Sequence, residues 1–181
     1  MLKGDILRFQ ARYPEAVAEL ERALALDPSN VYATAGVGFD YQMLGRFDKS
    51  FEYFDKAILA SPHDPALAQF YGGKAWANFG LKNYDQTIDW ARRALAINPN
   101  YAPYLHSVFV AALALTDHDA EAREALQRYL ALPSTGPFKT IAAFKAYYSA
   151  QGGDPPRVEA NERIYEGLRK AGMPEGDKKS N

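Results

Sequence analysis

GRFDKSFEYFDKAILASP, residues 45 to 62, decides the fold. After Gly45 come apolar or small residues at Phe47, Ser50, Phe54, Ala57 and Ile58, and Pro62 closes the run. Spacings of three and four put these side chains on one stripe of a helix. Proline ends such a helix because it lacks the amide hydrogen and clashes with the preceding turn. The pattern occurs twice more. Tyr13, Ala16, Leu20, Ala23 and Leu24 precede Pro28; Tyr84, Thr87, Ala91, Ala94 and Leu95 precede Pro99. Small residues at equivalent places, such as Ala23, Ala57 and Ala94, let a neighbouring helix come close.

The prolines set a period: 34 residues from Pro28 to Pro62, 37 to Pro99, and 34 to Pro133. Each unit has room for a first helix. One is predicted from Val31 to Leu44, with Val37, Gly38 and Tyr41 on one face. Another is predicted from Pro65 to Phe79, with Gly73 and Trp76 at the matching places. Asp64-Pro65 suits a helix start, an acceptor for an orphan amide followed by a preset φ. Gly45 and Gly80 suit the left-handed residue that ends a helix. Two extra residues after Gly80 and one before the helix account for the longer spacing.

A two-helix unit of about 34 residues with these signatures resembles the tetratricopeptide repeat. The resemblance covers roughly residues 1–133, as units 1–30 (truncated), 31–64, 65–101 and 102–133. The last is degenerate: Thr116 stands for the turn glycine, and Ala122, Leu126 and Tyr129 fall one residue late. It implies an all-α fold, a right-handed α-solenoid of tandem antiparallel helix hairpins. An unrelated helical bundle with chance periodicity is the alternative. A single hairpin cannot bury both its helices, so the array needs caps. Residues 134–172 read as capping helices, with Ile141, Phe144, Tyr147 and Tyr148 on one face. After the QGGDPP break follow Val158, Asn161, Ile164, Tyr165 and Leu168, closed by Gly172. Residues 173–181 read as a disordered tail. Matching Gly4 to Gly38 places Met1 inside the first helix, so the chain is expected to be excised from a longer protein. The run RIYEGLRKAGMPEG, 163–176, is similar to the end of certain bacterial multidomain class III adenylate or guanylate cyclase-like proteins. That similarity implies a regulatory, localising or oligomerising module, and no cyclase catalytic motif can be placed on these residues.

Composition narrows the function. Lys and Arg number 21 against 22 Asp and Glu, so no basic face calls for a nucleic acid. Cysteine is absent, which removes disulfides and thiolate chemistry and suits a reducing cytoplasm. The longest apolar run, VFVAALAL at 108–115, is far short of a membrane span, and the N-terminus lacks a signal-peptide core. His63 lies in a turn, and Asp117-His118-Asp119 cannot converge on one ion. Gly72-Gly73 lacks the spacing of a phosphate loop. Glu121, Glu124, Glu159 and Glu162 sit beside Arg or Lys as solubilising pairs. No catalytic residue, metal or cofactor is expected, and no enzyme.

The resemblance implies that the first helices line a concave groove for extended or helical peptides. Its groove positions fall on Tyr32, Ala35, Phe39, Gln42 and Met43, on Leu67, Phe70, Lys74, Ala77 and Asn78, and on Pro103, His106, Val110, Leu113 and Ala114. Tyr32, Phe39, Gln42, Met43, Phe70, Lys74, Asn78 and His106 are the candidate binding residues. Their apolar balance favours a helix or hydrophobic segment over a carboxylate clamp. Two alternatives stay open. The aromatic positions can be covered by C-terminal helices or packed between repeats, and the array can serve as a homodimer contact.

Overall fold

The computed structural model describes residues 3–101 and 103–176, and among them are ten α-helices and no strand. Four antiparallel hairpins come first: α1 (Lys3–Phe9) with α2 (Tyr13–Leu26), α3 (Val31–Met43) with α4 (Phe47–Ala60), α5 (Leu67–Gly80) with α6 (Tyr84–Ile97), and α7 (Pro103–Leu115) with α8 (Asp119–Ala131). A 3-10 turn at Pro133–Thr135 leads to α9 (Ile141–Gln151) and α10 (Pro155–Lys170). Each hairpin stacks on the next, giving the α-solenoid, and α9 and α10 cap it.

The hairpin turns share one backbone device. Ala11, Gly45, Lys82 and Asp117 have φ of 56°, 65°, 65° and 59°, each two residues before a second helix. The following amide reaches back five residues in every case: Arg12 to Leu7, Arg46 to Tyr41, Asn83 to Asn78 and His118 to Leu113, at 2.8–3.0 Å. This is the Schellman closure. Only one of the four positions is glycine. The left-handed place expected at Gly80 belongs to Lys82, because the two added residues extend α5 by a step; Gly80 instead lies flat against the Phe47 ring. Unit four keeps its register too. Measured from the start of α8, buried Ala122, Leu126 and Tyr129 match Ala16, Leu20 and Ala23 of α2, so the one-residue lag lies in the proline.

Glycines open the seams between hairpins. Phe54 is fully buried in a slot between Gly38 of α3 and Gly73 of α5, where a Cβ at Gly38 would stand 3.1 Å from the ring and one at Gly73 would collide with it. Helix starts are also local: Asn30 Oδ1 accepts the Ala33 amide at 2.9 Å, and Asp64 Oδ1 accepts the Ala66 amide at 2.8 Å. The latter places Pro65 in the turn, and α5 begins at Leu67.

The cap is large and folds back. One apolar cluster runs from Phe47 of α4 through α5–α10 to Met173. Along α10, Pro156 meets Gly45, Arg163 Nη2 donates to Gly80 O at 3.1 Å, and Lys170 pairs with Asp117 at 2.6 Å. The helix therefore runs along the ends of α3, α5 and α7. A Cβ on Gly167 would stand 2.6 Å from Ala111 Cα, which measures how closely α10 and α7 approach. Val158, expected on the packed face of α10, is half exposed, and Arg157 takes the inward place instead. Residues 173–175, expected to lie in a disordered tail, are instead packed and hydrogen-bonded. Met173 is buried, and the amides of Ile141 and Ala142 donate to the carbonyls of Pro174 and Glu175 at 2.9 and 2.8 Å. Residues 177–181 of that tail, and Met1, lie outside the described residues.

Candidate functional site

Because α9 and α10 turn back over the first helices, the concave side narrows to a cleft of about 620 Å³. Arg8 and Phe9 of α1, Tyr13 of α2, and Phe39, Gln42 and Met43 of α3 form one side. Trp76 of α5 and Tyr104 of α7 lie beyond them, and Tyr147, Tyr148 and Gln151 of α9 with Arg157 of α10 form the other wall. Aromatic rings dominate. A smaller cleft of about 200 Å³ lies beside it, lined by Tyr32, Phe39 and Phe70 with Arg8 and Asp64.

The eight candidate residues divide into three sets. Phe39, Gln42 and Met43 line the larger cleft. Phe39 also stands edge-on to Phe54, with ring centroids 4.8 Å apart, and Gln42 Nε2 donates to Gly73 O at 2.6 Å. Tyr32 and Phe70 line only the smaller cleft. Tyr32 is 58% exposed and donates to Asp5 Oδ2 at 2.9 Å, whereas Phe70 is buried with Ala35, Phe54 and Ala57. Lys74, Asn78 and His106 line neither. The Lys74 ammonium points to the second helices, paired with Asp55 of α4 and lying 4.2 Å and 3.8 Å from the Phe51 and Trp90 ring centroids. A carboxylate and two aromatic faces hold that cation better than the apolar concave side would. Asn78 Nδ2 donates to Lys74 O at 2.9 Å, an intrahelical bond. His106 stacks on Tyr129 at 5.3 Å, and burial pulls its pKa below the ordinary histidine value.

Two arginines face each other's environment across the larger cleft, and they differ in partners. Arg8 Nε and Nη2 bond Asp40 at 2.6 and 3.0 Å, Nη1 bonds Asp5 at 3.1 Å, and Nη2 also donates to Gly36 O. Burial opposes its charge, but the bonds and attraction to Asp40 and Asp5 outweigh it, so its pKa is raised. Burial likewise pushes the Asp40 carboxyl up, with Arg8 working against it. Among the described residues, Arg157 donates only to Gly152 O at 2.5 Å and Gln151 Oε1 at 2.6 Å. Sequence reasoning did not reach Arg8, Tyr104, Tyr147, Tyr148 or Arg157 as cleft residues. Their roles depend on where α9 and α10 fold, and no local pattern encodes that.

Among the described residues, no group of three or more His, Cys, Asp or Glu is placed to hold a metal ion, and no helix is long and apolar enough to cross a membrane. Stacked helix hairpins around a concave cleft define a helical-repeat protein. The tetratricopeptide repeat family model matches residues 1–30 and 68–101. Over 106 residues it is 26% identical to Hsp70-Hsp90 organizing protein 3 of Arabidopsis thaliana, covering 59% of this chain. The chain spans only 18% of that relative's length. Its fold is similar to that of MamA, with a TM-score of 0.66 and 22% identity, covering 94% of this chain and 96% of that one. It is also similar to YrrB, described as a tetratricopeptide-repeat protein with an unusual peptide-binding site, with a TM-score of 0.61 and 18% identity over 92% and 83% of the two chains.

Proposed function

We propose that this chain binds a protein partner through a peptide segment held in the cleft between α3, α5 and α9, and that it serves as a regulatory or scaffolding region of a larger bacterial, cytoplasmic signalling protein of the adenylate cyclase-like kind. The observation that carries the binding reading is the aromatic cleft of about 620 Å³ on the concave side, with Phe39 and Met43 half-buried in its wall. A site of that size and character suits an apolar segment with a few polar anchors. The likeness of the fold to YrrB, a tetratricopeptide-repeat protein with an unusual peptide-binding site, supports it. The signalling context is supported by the similarity of residues 163–176 to the ends of cyclase-like proteins.

The test is selection of peptides from a random display library, followed by titration against the unaltered chain and Met43→Asp. Selected peptides should bind at least about tenfold more weakly to Met43→Asp, a loss of about 1.4 kcal/mol, with helicity unchanged. Peptides indifferent to that change would remove the cleft from the function. Light scattering after size exclusion addresses self-association: a dimer that Met43→Asp dissociates would make the cleft a contact between copies instead.

A further inference from the structure

Arg157 is 2% exposed, yet among the described residues it makes no ion pair. Its two bonds go to neutral oxygens, and its Nε is buried with no acceptor. The guanidinium lies among tyrosines, Tyr13, Tyr147 and Tyr148, and lines the larger cleft. Burial pulls its pKa down from the ordinary arginine value, as expected of a cation without a countercharge. Arg8, on the opposite wall, has two carboxylates and is balanced. A buried charge held only by neutral acceptors is costly, and a charge-assisted bond to a carboxylate relieves that cost.

We infer that the cleft takes an acidic side chain carried beside an aromatic or large apolar one, its carboxylate meeting Arg157 and its apolar neighbour lying against Phe39, Met43 and Trp76. This rests on the proposal that the concave side is where a partner binds. One carboxylate is required rather than two, because Arg8 is already neutralised by Asp5 and Asp40. Glutamate suits the site better than a chain-terminal carboxylate. Arg157 is almost wholly out of solvent, so the charge has to arrive on a stem. The cleft's volume falls in the range that encloses a ligand of this size.

The two tryptophans supply a reporter and a control. Trp76 lines the cleft, whereas Trp90 packs on Tyr71 and Lys74 away from it. Their indole N–H signals are followed in ¹⁵N spectra during titration with acetyl-Phe-Glu-amide, with neutral acetyl-Phe-Gln-amide, and with acetyl-Gln-Phe bearing a free terminal carboxylate. The Trp76 signal should move and that of Trp90 should not. The Glu peptide should bind at least about tenfold more tightly than either other peptide, the ratio expected of one charge-assisted hydrogen bond. Arg157→Met should erase the ratio while leaving the melting temperature equal or higher. No movement of Trp76, equal binding of Glu and Gln peptides, or tighter binding of the free terminus would overturn the proposal. So would an unchanged ratio in Arg157→Met with a lower melting temperature, which would make Arg157 a staple of the α9–α10 loop. If Arg157→Met does not fold, the Glu-to-Gln ratio on the unaltered protein decides. Display peptides that depend on Met43 but lack any acidic preference would sink this inference and leave the cleft as the binding site.

Discussion

Tyr13, the first residue of α2, donates its phenolic hydrogen to the main-chain carbonyl of Gln151 at the end of α9, across 3.3 Å. The first hairpin and the cap thus meet over the concave side, and the crescent that stacked hairpins would leave open is partly closed. The remaining cleft has walls from both ends of the chain, Arg8 and Phe9 from α1 facing Tyr147 and Gln151 from α9. Phe9 is 82% exposed at this rim, so an apolar surface continues from the cleft to the outside.

Phe54 fills the slot between Gly38 and Gly73 and has no exposed surface. Replacing it with alanine should cost about 3–5 kcal/mol, because the helices on either side are held apart by their other contacts and cannot close the void. Urea denaturation at constant slope measures this. An unchanged midpoint would mean that the seam between the second and third hairpins does not depend on the ring.

Gly167→Ala separates two effects of opposite sign. In an exposed helix the change stabilises by about 1 kcal/mol. Here the new methyl would meet the main chain of Ala111, and overpacking costs about 1–3 kcal/mol. The melting temperature should therefore fall. A rise would show that α10 is not seated on α7.

Lys74 is buried while its partner Asp55 is half exposed. Lys74→Met keeps the stem between Phe51 and Trp90 and removes the charge, so stability should change by less than about 1 kcal/mol or increase. Lys74→Ala should lose about 2 kcal/mol or more through the void. Peptides selected on the cleft should bind both variants as before. A specific loss of binding in Lys74→Met, with stability intact, would return Lys74 to the groove.

His106 gives a pH dependence with a definite sign. Burial, only partly offset by a bond to the Pro99 carbonyl, keeps its folded pKa below the ordinary value of about 6.5. The unfolded chain therefore takes up a proton first as pH falls. The contribution of His106 is present in full above about pH 6.5 and is lost as pH drops from there toward its folded pKa. His106→Phe should flatten that part of the stability profile, measured by denaturation from pH 7.5 to 5. An identical slope in the variant would assign the effect to other groups.

The hairpins were legible in the residues because their causes are local. Ala16, Ser50 and Thr87 recur at one place in the second helices, and each is buried against its neighbour. The turn geometry was read less well. Glycine marks the left-handed residue at Gly45, but Ala11, Lys82 and Asp117 adopt it too, since a six-residue backbone bond offsets the cost for any side chain. Among the groove positions, counting along the repeat placed Phe39, Gln42 and Met43 on the cleft. It could not say that Lys74 would turn to Asp55 and two rings on other helices, because rotamer choice follows from partners that only packing supplies.

The sequence by itself therefore determined the unit, its period, and the apolar stripe that makes hairpins stack, all set by contacts within about one repeat length. Only the tertiary structure decided that α9 and α10 return across the concave side and bring an uncompensated Arg157 beside Trp76 and Met43. That outcome depends on which distant surfaces exclude the most water, and no spacing along the chain records it.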